Sequence, residues 1–398
     1  MNVVTDSEKI EEFLSRGVEN IFPNTEFLKT RMLEGKQLSM YLGIDPTAPT
    51  LHLGHSIPVL KLSDWQKLGH RAILLIGDFT AMIGDPTDKL ATRRKLSREE
   101  VLANASSYRK LLSGLLDFEG DNPVVLRYNS EWLGKMTFAD VLELESNFTH
   151  AQVIKRDMFQ TRIEEGKDLY MHELMYPMMQ GYDSVMLGVD GEVGGNDQTF
   201  NMLAGRDLVK KLQNREKFTI SVKLLADSAG KKMGKTEGNM AELGDLPGDM
   251  FAKVMTWGDD FIVSAFELCT RVGKKEIDEI RKKLESGEHP RDLKMRLAHA
   301  IVLVYHGKHL ADMAEQEFVN VFQKGELPQD MPEYSVTKGT SLGDILVPAH
   351  IQSKSEFKRL IDQGAMIFDG KKVELYHFVP EASGICKWSR HYVKVTVM

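Results

Sequence analysis

A fully apolar run, Arg71-Ala-Ile-Leu-Leu-Ile-Gly77, leaves this chain few ways to fold. A short run without polar alternation reads as a strand covered on both faces, the situation of strands in a parallel sheet. A second strand candidate, residues 38–44, precedes it. Between the two, Asp45-Pro46-Thr47-Ala48-Pro49-Thr50 carries turn chemistry, and Leu53 to Leu68 repeats its apolar residues at helical spacing until Gly69. Strand, turn, helix and strand in that order predict the start of a doubly wound α/β sheet that binds a nucleotide. Further strands are expected at Val124–Arg127 and Phe218–Leu224, and a helix over Asp197–Leu212.

The pattern changes along the chain. From about Leu246 to Gln323 apolar residues such as Leu293, Leu297, Ile301 and Val304 recur with charges between them, which predicts a helical domain. Pro328 and Pro332 mark a linker. The last 60 or so residues read as a separate α+β module. In it a basic helix is expected over Ser353–Gln363, and strands at Ala365–Phe368 and Lys372–Leu375 flank Asp369-Gly370, a dipeptide suited to a type I′ hairpin turn.

Composition excludes several classes. The chain has 398 residues, 42% apolar and 27% charged, with no apolar run near the ~20 residues of a membrane span. The opening stretch, Met1 to Asn20, is acidic and amphipathic, so no secretory signal and a cytoplasmic location are expected. Cys269 and Cys386 are the only cysteines, which argues against a disulfide scaffold or a structural zinc site. The net charge of −7 argues against a nucleic-acid partner. From Gly339 onward, however, eight Lys or Arg stand against six Asp or Glu.

Two motifs carry chemistry. His52-Leu53-Gly54-His55 stands where a strand passes into a helix, and free amides at a helix start attract phosphate. Gly54 would let a nucleotide approach the backbone, and His52 and His55, three residues apart, share a helix face and can donate to phosphoryl oxygens. With 12 His and 32 Gly in the chain, roughly 0.03 chance matches to His-X-Gly-His are expected. The second motif, Lys231-Lys232-Met233-Gly234-Lys235-Thr236, follows the Phe218–Leu224 strand. Alone it is an ordinary solvated lysine cluster; near a triphosphate its lysines could stabilise a leaving pyrophosphate.

Together the motifs resemble the paired signatures of class I aminoacyl-tRNA synthetases, with Gly234 and Thr236 where two serines are usual. Three further segments, Tyr41-Leu-Gly-Ile-Asp-Pro-Thr47, Tyr176-Pro-Met-Met-Gln-Gly-Tyr-Asp183 and Gly194-Gly-Asn-Asp-Gln198, are similar to those of the bacterial tyrosyl-tRNA synthetase family. The resemblance implies a Rossmann-like catalytic domain over 1–226, a signature-lysine loop with an α-helical domain over 227–337, and an S4-like RNA-binding domain over 338–398. It implies ATP, accompanied by Mg²⁺ as a substrate complex, L-tyrosine and tRNA(Tyr) as partners, a homodimer, and no tightly bound cofactor or protein-held metal. Thr47, His52, His55, Lys232, Lys235 and Thr236 are the implied catalytic residues, with Asp45, Gly54, Gly195, Asp197, Met233 and Gly234 at ATP. Tyr41, Gly43, Asp85, Tyr176, Gln180, Asp183 and Gln198 are implied for tyrosine: Tyr176, Gln180 and Asp85 at its amino group, Tyr41 and Asp183 at its phenol. Lys354, Lys358, Arg359, Lys371 and Lys372 are implied to meet RNA phosphates.

Tyr176, Gln180 and Asp183, at i, i+4 and i+7, share one helix face. Pro177 either places the helix start near Leu174 or bends that face, and Pro58 raises the same question in the first helix. A small-molecule nucleotidylyltransferase, a tryptophanyl enzyme, and a synthetase-like RNA-binding factor without catalysis remain as alternatives.

Overall fold

The computed structural model describes residues 2–86, 96–226, 240–323, 331–351, 353–388 and 391–398. The lysine motif, residues 231–236, lies outside the described residues. The chain divides into two compact units, Met1–Ala311 and Asp312–Met398.

In the first unit a six-stranded sheet has the order β1-β6-β5-β2-β3-β4. The strands are β1 (Val18–Phe22), β2 (Ser39–Ile44), β3 (Arg71–Ile76), β4 (Val125–Tyr128), β5 (Gly191–Gly195) and β6 (Phe218–Val222). All neighbours run parallel except β1, which lies antiparallel on β6. The apolar runs seen in the sequence become β3 and β6, whose residues are buried apart from Arg71. The chain builds outward from β2 through β3 to β4, then returns to the other side of β2 with β5 and β6. The order reverses between β2 and β5, and ligands of doubly wound sheets bind beyond the strand ends at such a reversal.

Helices Leu53–Lys67, Met171–Leu187 and Thr199–Gln213 flank the sheet. Pro58 and Pro177 both lie inside their helices. The second helix starts at Met171, three residues before the expected Leu174, so Pro177 is well past the first turn, where its missing N–H would have cost nothing. Close approach joins the second and third helices: a Cβ on Gly181 would come within 3.2 Å of the Gly205 nitrogen. Helices Pro247–Met255, Ile262–Cys269, Lys274–Glu285 and Pro290–His306 realise the expected helical region and share this unit with the sheet. Arg16 ties them to the N-terminal segment, donating to the carbonyls of Phe266, Glu267, Thr270 and Val272 at 2.6–3.3 Å.

The second unit holds a five-stranded sheet of order β7-β11-β10-β8-β9, formed by β7 (Glu333–Val336), β8 (Met366–Phe368), β9 (Lys371–Lys372), β10 (Gly384–Trp388) and β11 (His391–Val397). Helices Leu342–Ala349 and Lys354–Asp362 supply Leu342, Leu346, Phe357 and Ile361 to its core beside Met366, Trp388 and Val395. The expected hairpin is present: Phe368 pairs with Lys371 across Asp369 and Gly370, whose φ values of 46° and 79° are those of a type I′ turn. Its second strand ends at Lys372, short of the expected Leu375.

Candidate active site

Every implied tyrosine residue lies on β2, on the Met171–Leu187 helix, or in the loops beyond the strand ends. Tyr176 donates its phenolic hydrogen to Asp45 Oδ2 at 2.8 Å, and Thr80 donates to Asp45 Oδ1 at 2.7 Å. That carboxylate fills the space over Gly77, where a Cβ would lie 1.9 Å from Asp45 Oδ1. Burial, with Asp45 and Asp85 nearby, pushes the Tyr176 hydroxyl well above its usual range, so it remains a donor. Asp85 is buried and takes Gln198 Nε2 at 2.6 Å and Arg156 at 3.3 Å.

Asp183 is 2% exposed and accepts from Trp132 Nε1 at 2.7 Å and from Asn129 at 3.4 Å. Burial pushes its carboxyl up, against those two donors, which pull it down. Around it Tyr41, Ile73, Leu75, Trp132, Tyr176 and Met179 form one apolar cluster. Asp78 sets this wall: it caps Ser130 through N–H and hydroxyl at 2.9 and 2.6 Å, which fixes the turn carrying Asn129 and Trp132.

The structure does not bond Tyr41 to Asp183. The fully buried Tyr41 hydroxyl lies 3.0 Å from Ser184 Oγ and 3.5 Å from the Gln180 carbonyl oxygen. Gln180 is engaged on both sides of its amide, donating to Glu192 Oε1 at 3.1 Å and accepting from Asn201 at 2.8 Å. Asn201 also donates to Gln198 Oε1 at 3.0 Å. Glu192, Lys217, Arg156, Trp132, Asn129 and Ser184 went unmarked in the sequence. Charge inside a core has no periodic signature, and only the tryptophan could have been suspected as an aromatic wall.

Among the residues implied for ATP, His52 caps the Leu53–Lys67 helix, and its ring stacks on His55 with centroids 3.6 Å apart. Gly54 lies under this pair, since a Cβ there would sit 3.0 Å from the His52 ring. Thr47 folds back through its N–H to the Asp45 carbonyl at 2.9 Å. Gly43 is exposed at the end of β2; Gly195 closes β5, and Asp197 is exposed in the turn after it. Just after the lysine motif, the chain pairs with the histidine motif. Leu53 N–H donates to the Ala241 carbonyl at 3.0 Å and Leu243 N–H to the Leu51 carbonyl at 2.7 Å, with a bridge between His52 and Glu242.

The family model described as tRNA synthetases class I (W and Y) matches residues 33–323, which hold both motifs. The chain belongs to the class I tRNA synthetases. It is 43% identical to the Carboxydothermus hydrogenoformans protein named Tyrosine–tRNA ligase, over 94% of this chain and 93% of that one. It is 41% identical to Tyrosine–tRNA ligase 2 of Vibrio parahaemolyticus, over 93% of each chain. Among solved structures, a C-terminally truncated Aspergillus nidulans mitochondrial tyrosyl-tRNA synthetase superposes with a TM-score of 0.66 at 23% identity, covering 79% of this chain and 98% of that one. The Archaeoglobus fulgidus tyrosyl-tRNA synthetase complexed with L-tyrosine gives 0.62 at 22% identity, covering 78% and 99%. At those identities the structures speak for the shared fold alone. Among the described residues no helix of this synthetase is long and apolar enough to cross a membrane.

In the second unit Lys354, Lys358, Arg359, Lys371 and Lys372 are all exposed. Lys358 lies over the Tyr376 ring at 5.4 Å, and Arg359 pairs with Glu356 at 2.8 Å.

Proposed function

We propose that this chain is a tyrosine–tRNA ligase, and that the observation carrying the choice of amino acid is the buried Asp183 carboxylate in an aromatic wall. A carboxylate held there by Trp132 and Asn129 accepts a phenolic hydrogen, with Tyr41 beside it. A phenylalanine ring in the same place leaves that buried acceptor without its partner, which costs far more than a lost surface contact. At the other end Tyr176, Gln180 and Asp85 receive the ammonium group, and Gln198 the carboxylate under attack. The names of relatives at 41–43% identity favour tyrosine within a family model that also covers tryptophan.

The tyrosine carboxylate, ionised at neutral pH, attacks the α-phosphate of ATP and pyrophosphate leaves. No side chain need act as base; positioning and charge stabilisation supply the catalysis. Asp45 and Thr47 form the loop beneath the α-phosphate, and Thr47, His52 and His55 stabilise the transferring group. Gly54, Gly195 and Asp197 face the nucleotide and its ribose. Lys232 and Lys235, with Met233, Gly234 and Thr236, hold the leaving pyrophosphate. Mg²⁺ enters with ATP as part of the substrate complex. The terminal ribose hydroxyl of the tRNA then attacks the adenylate.

The second unit is read as an S4-like module that grips tRNA through its exposed lysines and arginine. Exposed Phe138, Leu142, Tyr170 and Met171 support a homodimer, since large apolar side chains in water mark interfaces. The cytoplasm is the proposed location. The test is ATP–pyrophosphate exchange with each of the twenty amino acids and no tRNA. Exchange with tyrosine alone is expected. Exchange with another amino acid overturns the reading of Asp183, and none with any of them returns the chain to a non-catalytic RNA-binding factor.

A further inference from the structure

Two charged side chains lie in the core behind the tyrosine residues. Lys217 is fully buried and Glu192 is 2% exposed, and they form an ion pair. Lys217 Nζ also donates to Ser184 Oγ at 2.6 Å, and that hydroxyl lies 3.0 Å from the Tyr41 hydroxyl. The two Glu192 oxygens face different donors: Oε1 accepts from Gln180 Nε2 at 3.1 Å, while Oε2 receives Lys217 and, at 3.4 Å, Ser184. Room for the ammonium comes from Gly205, where a Cβ would stand 2.8 Å from Lys217 Nζ and 2.8 Å from Ser184 Oγ.

Burying an ion pair is costly, and an apolar pair of similar volume would serve stability as well. What this pair adds is direction. A side-chain amide has a donor end and an acceptor end that differ little in shape, so a neighbour must choose its orientation. Glu192 accepts only, and thereby fixes the Gln180 NH₂ towards β5; Asn201 accordingly meets the oxygen.

We propose that Glu192 and Lys217 are positioning residues for tyrosine: the pair sets the orientation of the Gln180 amide and, through Ser184, the place of the Tyr41 hydroxyl. The inference rests on the reading that Gln180 meets the substrate. Its consequence is chemical. A carboxylate at 192 serves Gln180 and Lys217 with one accepting oxygen each. A glutamine has one accepting oxygen, so its NH₂ must face either the Gln180 NH₂ or the lysine.

The test uses the full-length protein in tyrosine-dependent ATP–pyrophosphate exchange, with KM measured for tyrosine and for ATP and melting followed in parallel. Glu192→Gln is expected to raise the KM for tyrosine about tenfold and leave that for ATP within about twofold. The double variant Glu192→Gln/Lys217→Met removes the ammonium, so the new amide can accept from Gln180 and donate to Ser184. It is expected to fold and to bring the KM for tyrosine back to within about threefold of the wild type. A folded Glu192→Gln with unchanged KM for tyrosine overturns the proposal, and so does a folded double variant no better than the single one. Should the single variant fail to fold, the double variant decides: a KM for tyrosine raised tenfold or more there counts against it. Gln180→Ala separates the two levels. If that change leaves the KM for tyrosine untouched, the reading of Gln180 fails and the inference falls with it; if it raises the KM while Glu192→Gln does not, the positioning role alone fails.

Discussion

Tyr176 and Asp45, 131 positions apart, meet at 2.8 Å, hydroxyl to carboxylate, and so join the helix of the proposed tyrosine pocket to the loop that leads into the histidine motif. Thr80 holds the other oxygen of the same carboxylate. Tyr176→Phe is expected to cost about 1 kcal/mol of unfolding free energy and to raise the KM for tyrosine in pyrophosphate exchange. Chemical denaturation and exchange kinetics on one preparation check both.

Gly77 allows that meeting. Alanine there would place a Cβ on Asp45 Oδ1 and 2.4 Å from Thr80 Oγ1, so the carboxylate must move. Gly77→Ala is expected to lower kcat/KM for exchange about a hundredfold, the usual loss when reacting groups are displaced by an ångström. An enzyme with near-normal kcat/KM would show that the position of Asp45 is unimportant.

Asp183 sets function against stability. Its folded-state carboxyl titrates above the usual range because of burial. The native state therefore binds its proton more tightly than the unfolded chain. The stability this contributes is full below the unfolded value of 3.8 and is lost as pH rises through the folded value. Asp183→Asn is thus expected to melt above the wild type at about pH 7.5, with the gap closing towards about pH 4. The same variant is expected to lose about tenfold or more in preference for tyrosine over phenylalanine. Melting curves across pH and competitive exchange measure the two halves.

Residues 38–77 were legible because apolar runs, turn residues and a helix stop agree there, with Pro58 the residue that reads against them. β5 was not. Gly191-Glu-Val-Gly-Gly has no strand signature, yet its glycines are required, because the Phe218 ring occupies the place of a Cβ on Gly191. β1, β10 and β11 were also unmarked, since their pairing comes from partners distant in sequence. The residues proposed for tyrosine came from resemblance alone, and the side chains that hold them in place carried no such mark. Glu192 and Lys217 carried no mark in the sequence, because only the fold shows that they are buried. Pro177 left a choice between a helix start near Leu174 and a bent helix face; the helix starts earlier, at Met171, and runs through it.

The second unit sets where a truncation can be made. β7 pairs with β11 along Glu333–Val336, so a cut after that strand would leave it without its neighbour. Deleting residues 331–398 is expected to leave tyrosine-dependent exchange within about twofold and to lower tRNA charging at least about tenfold. Equal loss of both activities would count against the RNA-gripping role of this unit.

Lys61 provides a pH marker away from the site. It is 4% exposed and donates to the carbonyls of Phe13 and Arg16 at 2.6 and 2.7 Å. Burial pulls its ammonium from 10.5 down to about 8. The unfolded chain keeps that proton up to 10.5, so stability rises with pH between the two values. Relative to Lys61→Met, the wild type is expected to gain up to about 3 kcal/mol across that window, measured by urea unfolding at successive pH values.

The pairing of Leu51–Leu53 with Ala241–Leu243 also has a consequence for the order of assembly. During synthesis the histidine motif leaves the ribosome long before the segment that pairs with it. Until Leu243 has emerged, the helix start at His52 lacks its bridge, and closing so distant a contact is a late and slow event. A nascent chain can thus complete its first strand–helix–strand unit early and still be unable to activate an amino acid. The enzyme gains its chemistry only after about three-fifths of it has been made.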